Sequence, residues 1–547
     1  MDIDNGLKIN DTFFGRTKEL DFLHKKVSDL KKEYRHNVAI LGKRLSGKSR
    51  LLLNFLSSLD KTDIAPIYVD LSILSYAAFI DQFIGMLLNY HYEGKRQIGQ
   101  DLHLFIDTIS ADLPKTHKKI KSIYSHVKSG KLDAAFAELL SLPGCFSQET
   151  GKLCLVIIDN FEEFAGYGLN QPFSVLGDSI MLQKASLYML CGRPNANSKN
   201  ILSEKLSLLF GKFQTLELEP FSCLESMDFI ESRCANITLS DDIKKLLIAF
   251  TDSEPFYLNI LTDFIAVRCK NSGMQKITSE DFNYILCNAM LSPHSPINQY
   301  FSRIMETLSG ISDSKTCLKV FNAMLSENKL SSIAVKSRHS KDGVRRLLDG
   351  LIGCEIAVKN GPLYTIEDEM FKVWLMLKEV ETAPRFSLDQ YADAEKLIAK
   401  VREITEGFVR EQQRQIDDKI FNLISSFDNE KITVGNRTHV LPMFKHINTE
   451  ITTKEHVLLS AHGSKMWVFS VFKKTADEDD IADFLARCRQ AKHRVSRKIL
   501  ILLNGITPEA KLLAMEERMW LWPIDKLNNL LNLYGKNKII YENSSIG

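Results

Sequence analysis

The residues with the clearest chemistry lie near the amino terminus, where the sequence has the spacing GxxxxGK[ST]. A predicted strand precedes this motif and a predicted helix follows it, which is the context that a phosphate-binding loop requires. The glycines let successive backbone N–H groups point at a phosphate, the lysine supplies positive charge, and the hydroxyl is a Mg2+ ligand. We therefore expect ATP and Mg2+ as cofactors, bound through Gly42, Lys43, Arg44, Leu45, Ser46, Gly47, Lys48, Ser49 and Arg50.

A second candidate is the carboxylate that ends the apolar run Leu153–Asp159. Such a run is typical of a buried central strand, and an acid at its end can reach a metal ion, so Ser49 and Asp159 are the predicted metal ligands. The next residue is Asn160, and an amide can orient water but cannot accept its proton. Slow hydrolysis is therefore expected. Glu162 and Glu163 follow closely. Either of them could supply the carboxylate that accepts the proton from water, or both could form a solvated helix start, and both interpretations remain open.

An arginine follows another predicted strand, Leu187–Cys191. From that position Arg193 could reach the γ-phosphate and report its presence. The alternative is a loop arginine in a turn that Pro194 sets. The predicted catalytic set is thus Lys48, Asp159, Asn160, Glu162, Glu163 and Arg193.

The elements that must position these residues alternate between strand and helix patterns, which predicts an α/β fold with a parallel sheet covered on both faces. A polar helical insert between Glu93 and Gly151 is expected to lie over the sheet. The predicted strands are Asn37–Leu41, Ile67–Asp70, Leu153–Asp159, Leu187–Cys191 and Gln214–Leu218.

The remaining chain divides by its patterns into several predicted parts after a core of residues 1–221. Residues 222–291 are helical throughout. Residues 292–380 read as three short helices and a hairpin with an Asn360-Gly361 turn, which is the winged-helix order. A linker at 381–395 leads into a long charged helix from about Tyr391 to Phe427, and residues 396–547 are expected to form a separate α/β domain.

With these residues in view, the chain resembles the archaeal-type ATPases, a branch of the STAND P-loop NTPases close to AAA+ and origin-recognition ATPases. The resemblance covers roughly residues 10–380. It implies that Phe14, Gly15 and Arg16, in an FxGRxxEL-like opening, pack near the adenine and ribose. It also implies a helical lid at 222–291, in which Pro255 belongs to a lid motif (SEPFYL) that contacts nucleotide.

Further matches are the strand end LCGR, the strand exit LEPF, and the segment YTIED followed by Phe371 and Trp374. In hydrolysing relatives a glutamate usually stands where this chain has Asn160, so the departure puts turnover in doubt rather than nucleotide binding. Many such switches complete their site with an arginine from a neighbouring copy, so a homo-oligomer is a reasonable expectation.

In the winged-helix part, basic residues on the predicted third helix could meet DNA phosphates. The same fold in this family also serves as an internal arm, and a few basic residues are often a solvated face. Both interpretations stay open. The candidate DNA contacts here are Arg338, Lys341, Arg345 and Arg346.

The last domain resembles the restriction-endonuclease-like domain that is often fused to these ATPases. Such nucleases need two acids for Mg2+ and a lysine that assists water. Here Val457 stands near the first expected acid, and the second acid is missing before Lys473, so we expect a degenerate fold without nuclease activity. Glu450 or Glu455 as a displaced acid keeps the alternative open. Arg494 and Arg497 belong to a basic segment that is either a nucleic-acid contact or a solvated face.

Composition agrees with this division. The 547 residues predict roughly three to four domains. A net charge of +2 implies no electrostatic partner in bulk. No apolar run is long enough for a membrane span, the acidic amino terminus lacks the pattern of a signal peptide, and the ten scattered cysteines read as free thiols of a cytoplasmic protein.

Three functions follow as hypotheses. The first is an ATP-dependent switch in which nucleotide binds between the core and the lid and sets how the winged helix and the C-terminal reader domain dock. The second is a DNA-binding initiator or regulator. The third is an ATP-controlled nuclease.

Overall fold

The computed structural model describes residues 13–72, 74–92, 102–194, 196–206, 213–380, 394–434, 437–453, 456–463, 465–491 and 494–539. The chain forms two compact units, Met1–Pro220 and Phe221–Gly547. None of the helices in the described ranges is long and apolar enough to span a membrane.

The first unit alternates strands with helices, as the sequence predicts. Its strands are β1 (Val38–Gly42), β2 (Ile64–Asp70), β3 (Leu153–Asp159), β4 (Ser186–Gly192) and β5 (Gln214–Leu218). Its helices are α1 (Thr17–Lys31), α2 (Lys48–Ser57), α3 (Tyr76–Tyr92), α4 (Leu102–Thr108), α5 (Pro114–Lys128), α6 (Leu132–Thr150), α7 (Pro172–Leu182) and α8 (Ala196–Asn200), with a 3-10 segment at Phe161–Tyr167.

The five strands form one parallel sheet in the order β2-β3-β4-β1-β5, which confirms the predicted α/β core. Because the strands are parallel, their carboxyl ends lie at one edge, and Asp70, Asp159 and Cys191 are register neighbours there. Two apolar cores cover the two faces. The insert helices belong to one of them, since Ile120 and Phe136 are buried with the strand residues Val156 and Leu190.

The second unit begins with helices. These are α9 (Cys223–Arg233), α10 (Asp241–Thr251), α11 (Pro255–Ser272), α12 (Ser279–Leu291), α13 (Pro296–Ser309), α14 (Ser314–Met324), α15 (Leu330–Ser337) and α16 (Lys341–Gly353). A hairpin of β6 (Ala357–Asn360) and β7 (Leu363–Ile366) follows, then α17 (Glu369–Val380). Three helices and a hairpin therefore occur in the predicted order.

The hairpin loop differs from the prediction by one residue. Asn360 pairs with Leu363 across the ladder, so the two loop residues are Gly361 and Pro362 rather than Asn360 and Gly361. Proline fixes φ near −65° and cannot take the positive φ that a type I′ turn needs at both central positions. Gly361 alone adopts a positive φ, of 61°.

The predicted long helix from Tyr391 to Phe427 is wrong: two helices lie in the described part, α18 (Ala394–Gln413) and α19 (Ile416–Ile424). The break occurs at Gln415, which has extended φ and ψ angles and precedes α19. Asp417 and Asp418 follow in the first turn of α19, where negative charge is favourable beside the N-terminal dipole. Residues 381–393, most of the predicted linker, lie outside the described residues.

The C-terminal part contains a hairpin of β8 (Glu430–Val434) and β9 (Arg437–Leu441) and a mixed five-stranded sheet. The sheet order is β10 (His446–Thr453), β11 (His456–His462), β12 (Met466–Phe472), β13 (Val495–Leu502) and β14 (Trp520–Pro523). The remaining helices are α20 (Glu478–Gln490), α21 (Pro508–Glu516) and α22 (Ile524–Leu533). Separate apolar cores lie on the two faces of the sheet.

Candidate functional site

The predicted phosphate-binding loop joins β1 to α2 at the carboxyl edge of the first sheet. Leu45 and Gly47 both adopt left-handed backbone conformations, with φ of 71° and 86°. At Gly42 an ideal Cβ would lie 2.5 Å from the Ser46 hydroxyl, so this turn has no room for a side chain. A left-handed non-glycine residue costs roughly 1–2 kcal/mol, and the loop retains one at Leu45.

The polar groups of the loop match the chemistry of a phosphate ligand. The Lys48 ammonium donates to the backbone carbonyls of Gly42, at 2.6 Å, and Lys43, at 2.9 Å, which holds it over the loop. The buried Ser46 hydroxyl has no hydrogen-bond partner within the described chain. An unpaired buried hydroxyl costs about 1–3 kcal/mol unless another group satisfies it. Lys43, Arg44 and Arg50 are exposed around the loop.

Asp159 lies at the end of β3 opposite the start of α2. Its Oδ2 accepts hydrogen bonds from the Ser49 hydroxyl, at 2.9 Å, and the Tyr68 hydroxyl, at 3.3 Å. Burial raises the pKa of Asp159, the Ser49 hydrogen bond opposes that rise, and the negative charge of Asp70 adds to it. Because Mg2+ prefers oxygen ligands, the Ser49 and Asp159 oxygens fit a Mg2+ site with one hydroxyl and one carboxylate from the protein.

Asn160 has a left-handed backbone, with φ of 56°, which turns its side chain toward the neighbouring strand. Its amide Nδ2 donates to Oδ1 of Asp70 at 2.8 Å. Its backbone N–H donates to Oδ1 of Asp159 at 3.0 Å. The residue therefore joins the carboxylates that end β2 and β3.

The two glutamates after Asn160 lie beside Arg193. Glu162 is buried, so a solvated helix start does not describe it. Its Oε1 accepts the backbone N–H of Arg193 at 3.1 Å and lies 3.7 Å from the guanidinium, which also approaches Glu163 at 3.5 Å. Burial raises the pKa of Glu162, and Arg193 opposes the rise. An ideal Cβ at Gly192 would lie 2.5 Å from Glu162 Oε2 and 2.7 Å from the buried ring of Phe161, so this packing favours glycine there.

The opening segment Phe14-Gly15-Arg16 connects to the strand exit of β5. The Arg16 guanidinium donates to the Glu219 carbonyl at 2.5 Å and to the Glu19 carboxylate at 3.1 Å. Two segments that the resemblance singled out separately are thus hydrogen-bonded in the first unit. Contact of Phe14, Gly15 and Arg16 with adenine stays a prediction.

Pro255 belongs to the second unit, where it is the first residue of α11. Two residues later, the Tyr257 hydroxyl donates to Oδ2 of Asp368 at 2.5 Å. Asp368 also accepts the backbone N–H of Phe371 at 2.9 Å, so it caps α17. The SEPFYL and YTIED segments therefore meet at one partly buried hydrogen bond. A role of Pro255 in nucleotide binding stays a prediction.

The hairpin after α16 lies against the C-terminal part. Asn360 exchanges two hydrogen bonds with the backbone of Thr433 on β8, at 2.8 and 2.7 Å. Lys329 forms ion pairs with Asp428 and Glu430, at 2.8 and 3.0 Å. The hairpin is therefore engaged within the unit.

The candidate DNA contacts have a different environment. The predicted third helix does not include Arg338, which caps the end of α15 with a left-handed backbone, φ of 59°, whereas Lys341, Arg345 and Arg346 lie on α16. The side chains of Arg338, Lys341, Arg345 and Arg346 are exposed. Arg345 lies 3.5 Å from Asp342. In the part of the chain that the structure describes, no ion pair involves the other three.

Among the described residues, two of the predicted nuclease positions form ion pairs with different partners. Lys473 pairs with Asp417 of α19 at 2.8 Å, and Glu450 pairs with Arg487 at 3.2 Å. Val457 is buried in the core of the C-terminal part. Glu455 lies outside the described residues.

The two basic candidates of the C-terminal part, Arg494 and Arg497, are exposed. The Arg497 guanidinium lies 5.1 Å from the ring centroid of Trp520. This position on a partly exposed indole is a cation–π contact, which is typical of both solvated faces and ligand surfaces.

Sequence reasoning missed Tyr68 and Asp70. The signal for Asp70 was present, because a strand ending at Asp70 was predicted and parallel strands bring their carboxyl ends to one edge. What the sequence lacked was the strand order, which makes β2 and β3 neighbours.

Comparison with known proteins finds no matching family model and no matching curated protein. Solved structures that are similar include a Walker-type ATPase of Pyrococcus abyssi, at 15% identity and a TM-score of 0.45, covering 67% of this chain and 97% of that one. Cdc6p of Pyrobaculum aerophilum has 13% identity and a TM-score of 0.36, covering 74% and 97%. The ORC1 protein of Aeropyrum pernix, solved in complex with DNA, has 12% identity and a TM-score of 0.38, covering 67% and 93%. At these values none of them transfers a function to this chain.

Proposed function

We propose that this protein is an ATP-binding STAND-type switch that hydrolyses ATP slowly and whose second unit responds to the nucleotide state. The observation that carries the proposal is the arrangement of Lys48, Ser49 and Asp159 around a glycine-dependent loop at the carboxyl edge of a parallel sheet. Ligands of α/β proteins bind at that edge, where loop N–H groups and helix N-termini converge.

Each residue has a distinct task in this proposal. Backbone N–H groups of the loop and the N-terminus of α2 bind the β-phosphate, and Lys48 turns from the loop carbonyls to the phosphate oxygens. Ser49 and Asp159 would hold Mg2+, which supplies charge neutralisation for the phosphates when bound. Arg193, held by Glu162 and Glu163, is the group next to this edge that can respond to a γ-phosphate.

Binding of ATP to the full chain tests the proposal. Lys48→Ala should raise the Kd for Mg-ATP at least about tenfold, since a charge-assisted hydrogen bond contributes about 1.5–3 kcal/mol. Isothermal titration calorimetry would measure it. Lys61→Ala is the matched control, because Lys61 is exposed and precedes β2 at the opposite edge of the sheet. Equal affinities of wild type and Lys48→Ala would contradict the proposal.

A second candidate function is DNA binding through α16. It is favoured by the exposed basic side chains on and before this helix. Because the hairpin beside them is hydrogen-bonded to β8, contact with DNA would involve the helix without the hairpin tip. Such binding would consist mainly of phosphate contacts and would weaken steeply with salt.

An electrophoretic shift with duplex DNA at two salt concentrations tests this candidate. Arg345→Glu/Arg346→Glu should abolish a salt-sensitive shift, because like charge repels the phosphates. The control is Lys315→Glu/Lys319→Glu, which makes the same charge change at exposed positions of α14. If the Arg345→Glu/Arg346→Glu variant still shifts the DNA as wild type does, the basic face of α16 is not the DNA-binding surface.

For the C-terminal part, we keep the proposal of a restriction-endonuclease-like fold without nuclease activity. The sequence supports it, because Val457 and Val471 stand where the two metal-binding acids are expected. Lys473 pairs instead with Asp417 of α19 at 2.8 Å. The domain would then act as a reader of a ligand or nucleic acid.

A further inference from the structure

The end of β2 carries a carboxylate that the sequence pattern did not assign to the phosphate-binding site. Asp70 is the register neighbour of Asp159 on the adjacent parallel strand. Its charge contributes to the raised pKa of Asp159 and to that of Cys191 at the end of β4, which places it at the same edge of the sheet. We propose that Asp70 is the catalytic carboxylate of ATP hydrolysis and that Asn160 positions it. This inference rests on the proposed ATP site.

Hydrogen bonding leaves one oxygen of Asp70 available. Oδ1 accepts the Asn160 amide at 2.8 Å and the Ser72 backbone N–H at 2.9 Å. Within the described residues no hydrogen bond reaches Oδ2, and Asp70 is partly exposed. The two bonds to Oδ1 restrict rotation of the carboxylate, so Oδ2 has a defined direction in which to accept a proton from water.

The other carboxylates at this edge are occupied. Asp159 accepts from Ser49 and Tyr68 through Oδ2 and from the Asn160 backbone through Oδ1. Such an arrangement suits a metal ligand. Asp70 is therefore the better-placed base of the two.

The two glutamates after Asn160 are placed against Arg193. Glu162 accepts the backbone N–H of Arg193 through Oε1. Its Oε2 has no hydrogen-bond partner among the described residues, but it is buried beside Gly192 and is therefore closed to water. Glu163 faces the Arg193 guanidinium at 3.5 Å. Both carboxylates therefore face the same guanidinium.

The amide and the carboxylate are joined by one hydrogen bond between neighbouring strand ends. In this chain the amide, Asn160, follows β3 and the carboxylate, Asp70, ends β2. The reverse placement, with the carboxylate after β3 and the amide on β2, would bring the same two groups to the same edge. Asn160 cannot act as a base itself. The site still has a base, because Asp70 supplies the carboxylate.

The proposed step is attack of water on the γ-phosphorus. A bond forms between the water oxygen and the γ-phosphorus, and the bond from that phosphorus to the β–γ bridging oxygen breaks, its electron pair leaving on ADP. One water proton moves to Oδ2 of Asp70. The proton then passes to solvent, which restores the carboxylate.

Single-turnover hydrolysis of Mg-ATP by the full chain, with Kd measured on the same samples, tests this inference. Asp70→Asn should lower the hydrolysis rate at least about 100-fold, the usual contribution of a positioned base, with Kd within about threefold of wild type. Asn160→Ala should lower the rate with an unchanged Kd, since it removes the amide and leaves the carboxylate. Asp70→Asn/Asn160→Asp, which exchanges the two groups, should recover at least about tenfold over Asp70→Asn.

The matched control is Asp63→Asn, an exposed aspartate just before the other end of β2, which should hydrolyse at the wild-type rate. Retained hydrolysis in Asp70→Asn, within about threefold of wild type, would overturn the inference. Wild type that binds ATP without hydrolysing it would overturn it as well, and would leave ATP binding intact. Wild type that does not bind ATP would instead defeat the proposed function itself.

Discussion

For single residues, the hydrogen bond between Tyr257 and Asp368, which joins the SEPFYL and YTIED segments of the second unit, has a consequence for stability. Burial raises the pKa of Asp368 to about 6, the Tyr257 hydroxyl and the Phe371 N–H oppose the rise, and nearby acids add to it. A carboxyl group with a raised pKa in the folded state binds its proton more tightly there than in the unfolded chain.

This shift gives a pH-dependent stability. The contribution of Asp368 is complete below its unfolded pKa of 3.8 and is lost as pH rises through about 6, a change of about 3 kcal/mol. Relative to Asp368→Asn, wild type should therefore have a Tm that falls between pH 4.5 and 7.5. Differential scanning calorimetry across that range measures it. Asp349→Asn, an exposed aspartate of α16, should follow the wild-type curve. Parallel curves for wild type and Asp368→Asn would refute the prediction.

At the scale of elements, the contact between the β6–β7 hairpin and β8 requires glycine at the hairpin tip. Gly361 has a positive φ, and an ideal Cβ there would lie 2.0 Å from the Lys431 carbonyl oxygen. Leu363 of the same hairpin is buried in the core of the C-terminal part, so the contact extends beyond the tip.

Gly361→Ala should therefore destabilise the second unit, by about 1–2 kcal/mol from the positive φ alone and by more from the backbone collision. Limited proteolysis and the Tm would report the loss. Gly407→Ala is the control, because Gly407 lies inside α18 and its Cβ would meet open space. That substitution should stabilise the helix by about 0.5–1 kcal/mol. Equal Tm values for Gly361→Ala and wild type would mean that the contact between the hairpin and β8 does not contribute to the stability of the second unit.

At the scale of the whole molecule, two units carry separable chemistry. The first holds the candidate phosphate-binding loop and the acids at one sheet edge. The second holds an exposed basic helix, α16, beside a hairpin that is already engaged by β8. ATP binding and DNA binding are thus tested by substitutions in different units, Lys48 in one and Arg345 with Arg346 in the other.

The local features of this protein follow from short stretches of its sequence. The loop motif, the apolar strand ending in Asp159, and the strand and helix alternation predicted the α/β core, because glycine conformations and apolar periodicity are properties of a few neighbouring residues. The hairpin tip was placed one residue too early, and the break at Gln415 was missed, since proline geometry and first-turn charge compete with periodicity at element ends.

Which strand ends are neighbours depends on the packing of whole elements. The order β2-β3-β4-β1-β5 brings Asp70 to Asn160, although they are far apart in the chain, and the fold of α19 brings Asp417 to Lys473. Such pairs follow from packing of whole elements against one another, and no window of sequence contains both partners. The chemistry assigned to Asp159 could therefore be predicted from its own strand, whereas the chemistry assigned to Asp70 depends on the strand beside it.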